Sequence, residues 1–126
     1  MHDLNESTAI VTGGARGIGL SLARALAENG ARVGLVDILQ DVVAAATDLT
    51  RHTGTESLGI QADVRDPDAI DAAFSTITDE LGVPDILITS AGITIWGDSI
   101  DVTPADWQTV IDINLSGTFY AAQSVG

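Results

Sequence analysis

The sequence predicts an α/β fold built on a doubly wound parallel sheet, and three observations carry that expectation. Short apolar runs alternate with segments of helical periodicity along the whole chain. The joints between them are short, which implies right-handed strand-helix-strand crossovers. The run Ile86-Leu87-Ile88 is apolar without alternation, as a central strand covered on both faces must be.

Taken in order, Ala9-Ile10-Val11 opens as a strand and Gly13-Gly14-Ala15-Arg16-Gly17-Ile18-Gly19 follows as a glycine-rich turn into a helix. The helix signal is Ile18, Leu22, Ala25 and Leu26 at spacing i, i+4, i+7, i+8, stopped by Asn29-Gly30. Val33-Gly34-Leu35-Val36 is a second strand running into Asp37. From Asp41 to Leu49 the chain is alanine-rich and reads as a helix closed by Gly54. Leu58, Ile60 and Ala62 then alternate as a third strand that ends at Asp63. The third helix is the best signed, with Asp66 as N-cap, Pro67 at the first position, and Ile70, Ala73, Phe74, Ile77 and Leu81 on one face before Gly82. A fourth helix starts near Thr103-Pro104, with Trp107, Val110, Ile111 and Asn114 on a stripe.

No composition shift, low-complexity stretch or repeat interrupts this pattern, so residues 1–126 are expected to form a single domain of about four strands and four helices. The polar start carries no secretory signal, and no apolar run reaches the length of a membrane span. A cytoplasmic protein is expected. Cysteine is absent, which removes disulfides, thiolate metal sites and thiol nucleophiles, and no metal site is expected. Lysine is absent too. Five arginines face 18 acidic residues, for a formal charge of -13, a field that repels nucleic acid and anionic membranes and favours solubility.

In a doubly wound sheet the ligand crevice lies at the carboxyl ends of the strands. The residues there are Gly13 to Gly19, Asp37, Asp63 and Ser90-Ala91-Gly92. A glycine turn lets the main chain approach a pyrophosphate, with free N–H groups and the positive end of the helix dipole facing the anion. Asp37 follows that turn at close to the ~20-residue spacing at which a carboxylate meets ribose hydroxyls. Together these features predict a dinucleotide site.

Thr12-Gly13-Gly14-Ala15-Arg16-Gly17-Ile18-Gly19 resembles the TGxxxGxG cofactor motif of the short-chain dehydrogenases/reductases. Three further matches fall in family order: Asp63-Val64 resembles the pair that contacts adenine, Ser90-Ala91-Gly92 the NAG element, and Asn114 the helix asparagine of the catalytic tetrad. The likeness covers the whole chain. It implies a Rossmann-type sheet and an NAD(P)-dependent oxidoreductase that interconverts an alcohol and a carbonyl on a small-molecule substrate by hydride transfer.

By this resemblance the cofactor-binding residues are Gly13, Arg16, Gly17, Ile18, Gly19, Asp37, Ile38, Asp63, Val64, Ser90, Ala91 and Gly92, and Asn114 is the catalytic residue. Asn114 would order the active-site helix and a water leading to a tyrosine-lysine pair. On residue chemistry alone it is a buried amide on an apolar stripe that needs a hydrogen-bond partner. The family's catalytic serine and Tyr-x-x-x-Lys motif lie beyond the asparagine helix, so the chain is expected to be the N-terminal part of a longer enzyme and inactive alone. Tyr120 is followed four positions on by Ser124 and reads as a packing residue.

Ser90 stands where the family has asparagine, which leaves the hydrogen bonding of that turn open. Trp96 is open to a substrate-pocket or a packing role, and His2 and His52 read as surface residues. A carboxylate about 4 Å from a phosphate costs on the order of 4 kcal/mol at an effective dielectric near ~20, so Asp37 favours NAD over NADP, with Arg16 compensating only in part. The apolar strand 86–88 is terminal in a 3-2-1-4 order unless a fifth strand covers it, so the isolated chain is expected to self-associate or to fold only marginally; a homo-oligomer is expected. A dinucleotide-binding module without catalysis, or a structural or interaction fragment, remains the alternative reading.

Overall fold

The structure is a computed structural model that describes residues 4–92 and 102–126. Trp96 and His2 fall outside the described residues. Four strands, β1 (Thr8–Thr12), β2 (Arg32–Asp37), β3 (Ser57–Gln61) and β4 (Ile86–Thr89), form one parallel sheet in the order β3-β2-β1-β4. Thr12 pairs with both Val36 and Thr89, and Asp37 with Gln61, so all four strands end along one edge. The chain winds outward from β1 to β3 and then returns to the other side of β1, which opens the crevice between β1 and β4.

Helices α1 (Gly17–Glu28) and α2 (Asp41–Thr53) cover one face, and α3 (Pro67–Leu81) and α5 (Gly117–Val125) cover the other. The alternation of strand side chains divides the core accordingly: Ala9, Val11, Val33 and Leu35 join the first cluster, whereas Ile10 and Val36 join the second. α3 forms as its sequence predicts. Asp66 Oδ1 accepts the Asp68 N–H at 3.0 Å and the Ala69 N–H at 3.3 Å, Pro67 opens the first turn, and Ile70, Ala73, Phe74, Ile77 and Leu81 are all buried. Burying each of the large side chains contributes about 1.5–3 kcal/mol.

Helix α1 corrects the expected face. Ile18 is 76% exposed, Leu22 is 40% exposed and Ala25 is exposed, and only Leu26 of the predicted stripe packs partly against the core. The buried side is Gly19, Ala23 and Ala27. These small residues at spacing four bring the helix axis close to the sheet, and a larger apolar residue has no room there.

The fourth helix also departs from its predicted stripe. α4 (Pro104–Ile111), capped by Thr103 Oγ1 accepting the Asp106 N–H at 3.1 Å, runs through a π-turn at Asp112–Ser116 into α5. Trp107 is 61% exposed and Asn114 is exposed, while Val110 and Ile111 are half-buried. The π-turn adds a residue to the helical repeat, so the faces of α4 and α5 are not in register. The contacts to α3 and β4 come from α5. There Gly117 and Ala121 are buried and Tyr120 is half-buried, edge-on to Phe119 at 6.2 Å.

The small-residue face of α1 yields a direct test by urea denaturation. Ala23→Leu should destabilise the protein by about 1–3 kcal/mol through overpacking. Leu22→Ser should stay within about 0.5 kcal/mol, as exposed positions do. The opposite ranking would return the core to the Ile18/Leu22 stripe.

Candidate functional site

The carboxyl edge of the sheet gathers the loops that follow each strand into one cleft of about 480 Å³. Gly13, Arg16, Ile18 and Gly19 line it from the β1–α1 turn, Asp37 and Ile38 from the end of β2, Asp63 and Val64 from beyond β3, and Ser90, Ala91 and Gly92 from the end of β4. Gly17, the remaining residue of the predicted set, sits in the turn but does not line the cleft.

The β1–α1 turn is tight for a structural reason. Gly13 has φ +71, and a Cβ there would stand 2.5 Å from the Ala91 nitrogen and 2.6 Å from the Ser90 carbonyl carbon. A Cβ on Gly19 would collide with the Gly13 carbonyl oxygen. Glycine at both positions lets the β4 turn, the β1 turn and the first turn of α1 meet backbone to backbone. Ser90 anchors the β4 turn through its main chain, donating its N–H to the Thr12 carbonyl at 2.9 Å.

The main-chain donors of this turn are divided between the protein and the cleft. Gly13 and Gly14 donate to the Val36 carbonyl at 2.7 and 3.4 Å, and Ala15 donates to Asp37 Oδ2 at 3.0 Å. The expectation of free N–H groups from Gly13 to Gly19 is therefore corrected at its first three positions. The first-turn N–H groups of Gly17, Ile18 and Gly19 have no partner within the helix. Arg16 precedes them as an extended N-cap without a side-chain capping bond. Of these three, Ile18 and Gly19 line the cleft, which puts the positive end of the α1 dipole beside it.

Asp37 is half-buried and does two jobs in the fold. Oδ2 holds the Ala15 N–H and Oδ1 accepts the Leu39 N–H at 3.1 Å, so the carboxylate ties the glycine turn to the start of the β2–α2 loop. Asp63 is held by Arg65, whose Nη2 donates to Oδ2 at 2.6 Å and whose Nε lies 3.0 Å from Oδ1 and 3.1 Å from Oδ2. The Arg65 fork keeps the Asp63 carboxyl below the usual carboxylate range, with burial opposing it.

Sequence reasoning missed three lining residues, Leu39, Ala62 and Ile113. Each lies within two positions of a predicted one, and Ala62 was visible as the last residue of the β3 alternation. Asn114 does not line the cleft, although Ile113 beside it does. Its exposed side chain stands against Gly92, where a Cβ would lie 3.0 Å from Asn114 Oδ1. The expectation of a buried Asn114 is thereby corrected. His52 is exposed, its Nδ1 2.7 Å from the Asp48 carbonyl oxygen.

Among the described residues no group of three or more His, Asp or Glu side chains is placed to hold a metal ion, and no helix is long and apolar enough to cross a membrane. The cleft is lined by the start of α1 at its centre, by the carboxylates of Asp37 and Asp63 on the β2–β3 side, and by Gly92 on the β4 side, with Asn114 against Gly92.

Residues 7–126 match the family described as short chain dehydrogenase. The chain is 38% identical over 124 residues to D-threitol dehydrogenase of Mycolicibacterium smegmatis, covering 98% of this chain and 47% of that protein. A dehydrogenase/reductase from Sinorhizobium meliloti 1021 superposes with a TM-score of 0.92 at 36% identity, over 98% of this chain and 49% of that one. L-Sorbose reductase from Gluconobacter frateurii, solved in complex with NADPH and L-sorbose, gives 0.89 at 26% identity, over 98% and 47%. The chain spans about half the length of these relatives. By its family match, its fold and its close relatives, the chain belongs to the short-chain dehydrogenase family.

Proposed function

We propose that this chain supplies the dinucleotide-binding part of an NAD-dependent oxidoreductase that interconverts an alcohol and a carbonyl on a small-molecule substrate. The observation that carries the reading is the shared cleft: the uncapped N-terminus of α1 opens into it between Asp37 on one side and Gly92 on the other. Family membership and relatives that are dehydrogenases and reductases support the reaction class.

The residues present fit such a ligand. Gly13 and Gly19 leave the space that Cβ atoms would fill, and the N–H groups of Ile18 and Gly19 would hold the pyrophosphate at the helix terminus. Asp37, Ile38, Asp63 and Val64 would take the adenosine half, and Ser90, Ala91 and Gly92 the approach to the nicotinamide half. When bound, the dinucleotide supplies the hydride donor or acceptor. Asn114, at the β4 side, is the one residue of the family's catalytic set present in the chain. The proton-transferring tyrosine-lysine pair is not among these 126 residues, since the chain holds no lysine.

The cofactor is assigned as NAD on the position of Asp37. Both of its oxygens already accept N–H bonds, and a ribose phosphate beside them would bring a second negative group. Arg16 lines the same cleft and offsets only part of that repulsion. We further assign the protein to the cytoplasm and to a homo-oligomer.

Calorimetric titration of Asp37→Ala should raise the NADP-to-NAD affinity ratio by about tenfold or more. It should also weaken binding of both, because Ala15 and Leu39 lose their acceptor; an unchanged ratio would remove Asp37 from the ribose site. With a panel of secondary alcohols and NAD, or ketones and NADH, the 126-residue chain alone should bind cofactor and give no turnover. Proton transfer by a positioned group is worth about 10²–10⁴-fold and is missing from this piece. Turnover by the chain alone would show that the proton-transfer residues have been misassigned, and absence of NAD binding would remove the dinucleotide reading itself. In sedimentation, the isolated chain should associate with rising concentration; a monomer at all concentrations would count against the oligomer.

A further inference from the structure

The peptide that joins Ile38 to Leu39 is held differently from its neighbours. The peptide before it is fixed by main chain, the Ala62 N–H donating to the Asp37 carbonyl at 2.9 Å, and so is the one after it, the Val42 N–H donating to the Leu39 carbonyl at 3.2 Å. Between them, among the described residues, the partners are side chains. Gln61 Nε2 donates to the Ile38 carbonyl at 2.8 Å, and the Leu39 N–H donates to Asp37 Oδ1 at 3.1 Å. The carbonyl and the N–H of one planar trans peptide point in opposite directions, so a bond at either end fixes the other.

The sheet places Gln61 for this contact. It is the last residue of β3 and pairs in register with Asp37, so its side chain reaches one peptide beyond the end of the ladder. Gln61 is exposed and does not line the cleft, whereas Asp37, Ile38 and Leu39 all do. An ionised carboxylate accepts only, at about four lone-pair sites. The Ala15 and Leu39 N–H groups take one site on each oxygen of Asp37, which leaves about two for the hydroxyl donors of an unmodified ribose. An ionised ribose phosphate has no donor for those sites and needs N–H groups instead, and the Leu39 N–H is turned away from it onto Asp37. We propose that Gln61 is a positioning residue that helps select NAD over NADP. By holding the Ile38 carbonyl it keeps the Leu39 N–H on Asp37, which orients the acceptor for ribose hydroxyls and withholds a donor from a ribose phosphate. This rests on the dinucleotide reading above.

The test is equilibrium binding of NAD and of NADP to the full chain carrying Gln61→Met, which keeps the length of the side chain and removes its donor. The NADP-to-NAD affinity ratio should rise about threefold or more through a loss of NAD affinity, as expected for one hydrogen bond. In hydrogen exchange, the Leu39 amide should lose protection by a similar factor. In an Asp37→Ala background the Leu39 N–H has no carboxylate to be held on, so adding Gln61→Met should leave the ratio within about twofold. A merely structural role would weaken both cofactors together and leave their ratio alone in either background. A ratio unchanged by Gln61→Met, a shift of the same size with and without Asp37, or unchanged exchange at Leu39 overturns the proposal while the dinucleotide reading stands. So does a wild type that binds the two cofactors equally. If wild type binds neither, both fall. Should Gln61→Met not fold, Gln61→Ala decides by the same ratio.

Discussion

Everything at the carboxyl edge depends on a three-way approach of main chain. Gly13 sits with φ +71 directly beneath the Ser90-Ala91 peptide, and Gly19 backs onto the Gly13 carbonyl. A side chain at either glycine would push the β4 turn or α1 away by more than the core could absorb, because close-packed interiors have no spare volume. The crevice between β1 and β4 owes its shape to this contact. So does the direction of α1, whose first-turn donors face the cleft only because the helix begins against the turn.

A second consequence is that binding groups and structural groups overlap. Asp37 lies where the cleft needs an acceptor, and it also closes the glycine turn through Ala15 and the following loop through Leu39. Three of the turn's main-chain donors serve the fold, and the helix terminus serves the cleft. Asp63 is likewise both a wall of the cleft and the partner of Arg65. A carboxylate that already accepts two or more fixed N–H groups is held before any ligand arrives, so little rotamer freedom is lost when one binds.

The helices differ in how they meet the sheet, and the difference follows from residue size. α3 packs with isoleucine, phenylalanine and leucine, at the distance such side chains require. α1 packs with glycine and alanine, which brings its N-terminus in close and leaves Ile18 and Leu22 on the outside. At the β4 side, the π-turn at Asp112–Ser116 rotates the helix between α4 and α5. Gly117 on α5 then meets Val64, and Asn114 comes to Gly92. The two ends of the cleft are thereby joined through one helix.

The sequence alone determined the element order, the parallel sheet and the strand-end residues, because these rest on local signals: period-two and period-3.6 patterns, the Asp66-Pro67 cap, and glycines that end helices. The glycine turn, Asp37, Asp63 and Ser90-Ala91-Gly92 were legible as neighbours for the same reason, since a parallel sheet brings all strand ends to one edge. Tertiary structure decided what depends on distance. The buried face of α1 is its small residues, a stripe that was present as Gly19, Ala23 and Ala27 but carries little hydrophobic weight in a periodicity count. Asn114, on an apolar stripe by its spacing, lies exposed within the π-turn. The pairing of Ala15 with Asp37, 22 residues apart, and the closeness of Gly13 to Ala91 left no local pattern to read. Both are set by the packing of β1 between β2 and β4, which exists only once the sheet has formed.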